Sequence, residues 1–242
     1  MTHTDLLLDA SNLIARSYFS ARGFGTRNAV RDRLREYRHA LQPRHVIAAI
    51  DAPTNFRKQL DPTYKGTRGS KPQALEDLLN HSADLMHELG CICAQADDHE
   101  ADDVIATLAE RAPERVVIVS TDADLHACVR ERVSIYSPAN RKTFGPDEYA
   151  QRYGFPRDRH SLYKALCGCA SDNIPGVPDI GHSRACQVVR QAGSVEAVYA
   201  QLTGFDHRTQ QGLRQVTPDQ LQHALTLTTL VIRAPVRRLH PE

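Results

Sequence analysis

Short, uninterrupted apolar runs recur along the chain at Leu6-Leu7-Leu8, Val46-Ile47-Ala48-Ala49-Ile50 and Val116-Val117-Ile118-Val119. Runs of this length are the pattern of strands buried on both faces. Val133-Ser134-Ile135-Tyr136 reads as a further strand. Between the runs the apolar spacing lengthens towards that of a helix. Ala10-Ser11-Asn12 offers a cap ahead of Leu13, Ile14, Tyr18 and Phe19. Val30 to Leu41 predicts a strongly charged surface helix, and Leu75 to Leu89 an amphipathic helix returning to the sheet. The stretch after His99 predicts a helix with Val104, Ile105, Leu108 and Ala109 on its apolar part. Shorter helices are expected at 125–129, 146–153, 161–167, 183–192 and 221–230, with Val231 to Pro235 coming back to a sheet edge. The polar stretch from Asp206 to Gln220 carries no informative pattern. Strands alternating with helices argue for an α/β chain: a mostly parallel central sheet flanked by helices.

The three apolar runs share a second property, because each hands over an acid at its C-terminal end: Asp9, Asp51, and then Asp122 with Asp124. In open α/β sheets ligands gather at the carboxyl ends of the strands. The helix after His99 opens on Glu100-Ala101-Asp102-Asp103, where Glu100 and Asp103 lie three apart on one face with Asp102 beside them. A negative first turn suits the helix dipole, and Asp9 alone suits a capping role. Neither accounts for three strands delivering acids to one edge. Crowded carboxylates repel unless something positive sits between them. All-oxygen clusters of this kind point to hard cations, magnesium or manganese.

Between Ala52 and Lys71 cations interleave with aromatics: Phe56-Arg57-Lys58, Tyr64-Lys65, Arg68 and Lys71, punctuated by Pro53, Pro62, Gly66, Gly69 and Pro72. The bland reading is a solvated loop. Because the segment leaves directly from Asp51, it is expected to overhang the acids, where cations and an aromatic suit a phosphodiester chain with a stacked base. Further on, the stretch from Gly168 to Gly181 ends in a glycine-bracketed hairpin leading into a helix, a place where backbone N–H groups grip phosphate.

Composition narrows the picture without redirecting it. With 242 residues, 41% hydrophobic and 24% charged, the chain builds one sizeable core, or one core with a small appendage. A formal net charge of +1 means that any nucleic-acid surface must come from segregated charge. Cys91, Cys93, Cys128, Cys167, Cys169 and Cys186 make no paired zinc spacing and read as reduced thiols. No basic leader and no run approaching the roughly 18 apolar residues of a membrane span is found, so a cytoplasmic protein is expected.

Taken together, these residues resemble the flap endonuclease and 5′–3′ exonuclease family, including the 5′-nuclease domain of bacterial DNA polymerase I. Asp9 and Asp51 match its strand-end aspartates, Glu100-Ala101-Asp102-Asp103 its E-A-D-D motif, and Asp122-Ala123-Asp124 its D-x-D. Phe56-Arg57, Tyr64-Lys65 and Arg68 match the entrance to its helical arch, and Ser171-Asp172-Asn173-Ile174-Pro175-Gly176-Val177 the opening of its helix-hairpin-helix. The resemblance implies a PIN-like nuclease core at 1–158, with a compact arch segment at 52–72, and a helix-hairpin-helix lobe with a closing helix at 159–242. It implies two-metal hydrolysis of DNA near 5′ ends, flaps or branch points by a stand-alone monomer with no polymerase domain attached. One ion would make a hydroxide nucleophile, and both would stabilise charge on the scissile phosphate.

In that scheme Asp9, Asp51, Glu100 and Asp102 hold one Mg2+ or Mn2+. Asp103, Asp122, Asp124 and Asp172 serve the other, directly or through water. Arg57 and Lys65 steady the phosphate, and Tyr18 or Tyr64 stacks a base. Arg68, Lys71, Gly176, Gly181 and Arg184 contact the nucleic acid, and backbone carbonyls near Ile180 and Gly181 hold K+. The chain departs from the pattern at Cys169, which stands where the family places an aspartate, and at the hairpin lysine, whose part falls to Arg184 one position on. Cys169 favours an alternative, a structure-specific DNA-binding protein with weakened catalysis. An RNase on the related fold is a second alternative.

Overall fold

The computed structural model describes residues 4–240. Its strands are β1 (Thr4–Asp9), β2 (His45–Ala49), β3 (Ile92–Gln95), β4 (Arg115–Val119), β5 (Val133–Ser137), β6 (Lys142–Phe144) and β7 (Arg237–Leu239). They form one sheet in the order β6-β5-β4-β1-β2-β3-β7. β5, β4, β1, β2 and β3 run parallel, and β6 and β7 add antiparallel edges. Strand order runs outward from β1 to β3 on one side, then resumes at β4 on the other side of β1. That reversal opens a crevice above the carboxyl ends of β1 and β4, where sheets of this class bind ligands.

The apolar runs form strands because both their faces are covered. Leu6, Leu7 and Leu8 of β1 are all buried. On one face lie the helices Ala10–Ser20 and Thr26–Leu41 and the segment 73–88; on the other lies Ala101–Arg111, which buries Ala101, Val104, Ile105 and Ala109. The core under this second face runs on through Tyr149, Tyr153 and Phe155 into Val177, Ile180, Val188, Val198 and Leu213. The C-terminal helices therefore share the core of the sheet. Among the described residues no helix is long and apolar enough to cross a membrane.

Four expectations change. The helix expected at 75–89 is two, Gln73–Asn80 and Ser82–Glu88, broken at His81, whose ring Nδ1–H donates to the Asp77 carbonyl. The apolar period survives because the break is a single residue. The returning edge strand lies at Arg237–Leu239, two residues past Pro235, which has no N–H to offer a ladder. Residues 231–234 instead cross the helix Ala101–Arg111, where Val231 N–H donates to Asp103 and Ala234 N–H to Thr107. β3 was missed because it is only four residues long and Ala94 is a weak strand former. The polar stretch after Asp206 holds a helix, His207–Arg214, whose buried positions are Thr209, Gly212 and Leu213. Small and polar residues on the buried face hide its period.

Gly212 explains that composition. A Cβ there would lie 2.0 Å from the carbonyl oxygen of Pro178, so this helix seats directly on the backbone of the hairpin. Gly212→Ala must push the two apart, and overpacking of this kind costs about 1–3 kcal/mol. A urea melt should show a lower midpoint for Gly212→Ala, and an unchanged midpoint would contradict the close approach.

Candidate metal centre at the carboxyl ends of the sheet

The acids reach the crevice from four elements. Asp9 ends β1 and caps the next helix, its Oδ1 accepting Asn12 N–H at 2.9 Å. Asp51, two residues past β2, accepts Ala101 N–H at 2.8 Å and so ties that strand end to the start of Ala101–Arg111. Asp102 lies in the first turn of that helix. Asp122 follows β4, with its N–H on Ser120 Oγ and its Oδ1 accepting Asp124 N–H, both at 2.9 Å. Asp9, Asp51, Asp102 and Asp122 line one cleft of about 770 Å³, with Glu100 and Asp172 on its wall and Lys58, Lys65, Arg68 and Lys71 on its basic side.

Proximity shows in the acidities. Burial, then the charges of Asp51 and Asp122, push Asp9 up to about 7 despite the cap bond and Lys65. Burial, then Asp9 and Asp122, hold Asp102 well above the usual carboxylate range. Glu100 goes the other way: burial alone would raise it, but Lys65, Arg57 and Tyr64 together hold it below its ordinary value. It is ion-paired to Lys65 and accepts Tyr64 O–H at 2.8 Å. The four aspartates thus carry more negative charge than Lys65 can offset. An all-oxygen, under-neutralised cluster fits a hard divalent cation.

A second group differs. Asp124, Cys169 and Asp172 each bring one ligand atom within 4.8 Å of the others. Lys164, however, is ion-paired to Asp124, and Arg68 lies 2.8 Å from Asp172. Burial pushes the Cys169 thiol up, so it stays protonated, with Sγ 3.1 Å from Ser171 Oγ. A cation there competes with two resident side-chain cations, and the fit is correspondingly poorer.

Asp103, Arg57 and Tyr64 do not face the cleft. Asp103 is 0% exposed, and its oxygens take Arg57 Nη1 and Nη2 at 2.7 and 2.8 Å, with Val231 N–H at 2.9 Å. Glu100 N–H adds a fourth donor at 3.3 Å, which leaves no lone pair towards an ion. Arg57 is 2% exposed and spends its other donors on the carbonyls of Leu227 and Thr229, so it steadies no phosphate. Tyr64 is 4% exposed, too enclosed to stack a base. These residues instead pin the first turn of Ala101–Arg111, which carries Asp102, to the end of the last long helix, Pro218–Thr228.

Lys65, Arg68 and Lys71 do line the cleft. The basic segment is docked onto the turn at 171–173: Lys65 N–H donates to Asp172 O, Asn173 Nδ2 to Thr63 O and Arg68 Nε to Ser171 O. Lys65 is held at φ 57°, a left-handed conformation that costs a non-glycine residue about 1–3 kcal/mol. Tyr18 is half-buried one turn beyond Ala15, on the helix face that also places Ser11 in the cleft wall. Gly176 is required by packing, since a Cβ there would lie 2.4 Å from Cys167 O. Gly181 caps the helix His182–Gln191 beside Arg184, whose Nη1 donates to Asp179 O. Lys164 was missed by sequence reasoning. A lone lysine in a short helix carries no signal of the acid it will meet.

Two predictions follow from this geometry. Arg57→Met leaves Asp103 buried without its partner, which typically costs about 3–5 kcal/mol. Chemical denaturation should register that loss; a variant of wild-type stability with weakened DNA affinity would return Arg57 to phosphate binding. The second concerns Asp9. A carboxyl raised from 3.8 to about 7 on folding costs nothing below 3.8, where both states are protonated. The cost accumulates as pH rises from 3.8 through about 7. Metal-free Asp9→Asn, which keeps the cap, should therefore be more stable than wild type at pH 8, with the gap closing below pH 5. A gap independent of pH in thermal melts would refute the assignment.

Comparison with known proteins adds independent findings. A family model described as 5′–3′ exonuclease, N-terminal resolvase-like domain, matches residues 4–154. A second, described as 5′–3′ exonuclease, C-terminal SAM fold, matches residues 156–240. The flap endonuclease Xni of Pectobacterium carotovorum subsp. carotovorum is 32% identical over 216 residues, covering 87% of this chain and 83% of that protein. A 5′–3′ exonuclease of Aquifex aeolicus is 30% identical, covering 79% and 71%. DNA polymerase I of Streptococcus pneumoniae is 30% identical over 96% of this chain, which spans only 29% of the polymerase. Among solved structures, T5 5′-exonuclease with divalent zinc bound superposes with a TM-score of 0.77 at 22% identity, over 95% of this chain and 90% of that one. The catalytic core of Rad2 in complex with DNA substrate gives 0.59 at 15%, over 92% and 71%. At these identities the structural likeness is one of fold.

Proposed function

This chain belongs to the 5′–3′ exonuclease family of nucleases, and on that footing we propose that it is a divalent-metal-dependent enzyme hydrolysing DNA phosphodiester bonds at 5′ ends or 5′ flaps. The observation that carries the reading is the convergence of Asp9, Asp51, Asp102 and Asp122 in one cleft at the strand-order reversal, with burial and mutual repulsion raising Asp9 and Asp102. Magnesium or manganese bound there would activate the attacking water and offset charge on the scissile phosphate.

The chain's own residues do the rest. Lys65, held between Glu100 and Asp172, presents a fixed positive charge to a phosphate in the cleft. Arg68, Lys71 and Lys58 extend that charge along the rim, where a backbone enters. Tyr18 is the remaining candidate for stacking a base. The hairpin side, with Gly181 and Arg184, would hold duplex phosphates about the start of His182–Gln191, and a K+ ion at the carbonyls of Ile180 and Gly181 belongs to the same reading. Working as a monomer in the cytoplasm is part of this proposal.

One observation favours a qualified version. Asp124 and Asp172 already carry Lys164 and Arg68, and Cys169 supplies no carboxylate. Occupation of the second group is therefore weaker than of the first, and catalysis depends mainly on the ion among the four aspartates. Asp102→Ala tests the whole. Cleavage of a labelled 5′-flap duplex in magnesium should fall by at least about a hundredfold, as for loss of a major electrostatic stabiliser, while DNA affinity in calcium is kept. Near-normal cleavage by the variant would overturn the reading, and faster cleavage of a matched single-stranded RNA by wild type would favour the RNase alternative.

A further inference from the structure

Between Asp122 and Asp124 lies Ala123, and its carbonyl oxygen is gripped from a distant part of the chain. The helix His160–Cys167 begins with a histidine that is 1% exposed and whose Nε2 stands 3.1 Å from Ala123 O. Its Nδ1 stands 3.2 Å from Tyr149 Oη. A carbonyl only accepts, so Nε2 carries the hydrogen; Nδ1 of the neutral ring then accepts from the tyrosine hydroxyl. Burial drives the imidazole pKa down to about 3, which agrees with a neutral ring. One helical turn on, Lys164 meets Asp124 itself. Among the described residues the polar bonds of Asp122 and Asp124 are otherwise local, to Ser120 Oγ and within the Asp122–Asp124 turn. The same carbonyl also accepts His126 N–H at 3.1 Å, closing a short turn.

We infer that His160, oriented by Tyr149, is a positioning residue for the Asp122–Asp124 pair. The Ala123 carbonyl shares its peptide plane with Asp124 N–H, so fixing it also fixes the N–H that Asp122 Oδ1 accepts. With that plane held, Asp122 stays in the cleft with Asp9 and Asp102, and Asp124 faces Lys164 and the Cys169 side. Without the His160 N–H only His126 N–H holds the plane, and the two carboxylates are less firmly directed. Groups that orient ligands in this way typically cost 10–100-fold in metal affinity when removed. The inference rests on the reading that these carboxylates hold a divalent ion.

Its test is Mn2+ binding by titration calorimetry, followed by flap cleavage, with three variants of the full chain. His160→Phe fills the space without the N–H and should weaken Mn2+ binding by about tenfold, lowering kcat with KM for DNA unchanged. His160→Gln carries an amide N–H to nearly the place of Nε2 and should restore binding. Tyr149→Phe removes the orienting hydroxyl and should give a smaller loss of the same sign. Wild-type affinity in His160→Phe, or equal impairment of the Phe and Gln variants, would overturn the inference, because the ring would then only fill space. If His160→Phe does not fold, weaker binding in Tyr149→Phe with retained binding in His160→Gln supports it, and any other pattern overturns it. Wild-type protein that binds no Mn2+ would overturn the metal reading itself, and this inference with it, a result distinct from the others.

Discussion

Like charges in a half-buried cleft repel, and holding four aspartates together against that repulsion is the constraint around which this molecule is arranged. Opposing charge alone does not meet it, since Lys65 is already committed to Glu100. Rigidity supplies the rest. Asp9 and Asp51 are tied to helix N-termini through Asn12 N–H and Ala101 N–H, where the dipole favours an anion. Asp102 rides on a turn that cannot move unless the Arg57–Asp103 pair breaks. That pair is buried, two-pronged and closed off by main-chain carbonyls. Its electrostatic worth is the stiffness it lends to the turn that carries Asp102.

The same logic explains why the C-terminal helices share a core with the sheet. Asp172 reaches the cleft only because the turn that carries it is registered on the strand ends. The register comes from the continuous core, from the backbone contact of Gly176 on Cys167, and from the bonds that run between the 61–68 segment and residues 171–173. His160 and Lys164, four residues apart on one helix, complete the link at the end of β4. The two acidic groups are therefore unequal by construction. One is short of positive charge, and the other has its positive charge already in place.

Much of the plan was legible in the linear chain. Both-face burial leaves a direct mark, a continuous apolar run, and chain direction puts the next residue at the carboxyl end; Asp9, Asp51 and Asp122 were placed by those two facts alone. Motif order then identified the family, but the expected grouping of the acids changed: Asp122 lies with Asp9, Asp51 and Asp102, while Glu100 is taken up by Lys65 and Tyr64. Sequence reasoning had no means of dividing Glu100-Ala101-Asp102-Asp103 between roles. Adjacent residues on a helix differ by about a hundred degrees of rotation, and only the packed neighbours decide which faces water and which faces protein. Asp102 was turned to the cleft and Asp103 to Arg57.

The remaining misreadings have the same origin. Arg57 and Tyr64 carry the residue types of a phosphate clamp and a stacking platform, but Arg57 is enclosed by the carbonyls of Leu227 and Thr229, 170 and 172 positions away, and Tyr64 is tied to Glu100. Nothing local announces such a partner. The helix at 207–214 escaped because its buried face is built for contact with backbone, which calls for glycine and small polar residues in place of an apolar stripe. So the sequence by itself determined β1, β2, β4 and β5 and the edge at which the acids gather, because those follow from short-range periodicity and chain direction. Which acids are free and which are spent on holding the frame was decided only by tertiary structure, because a carboxylate's availability is a property of everything packed around it.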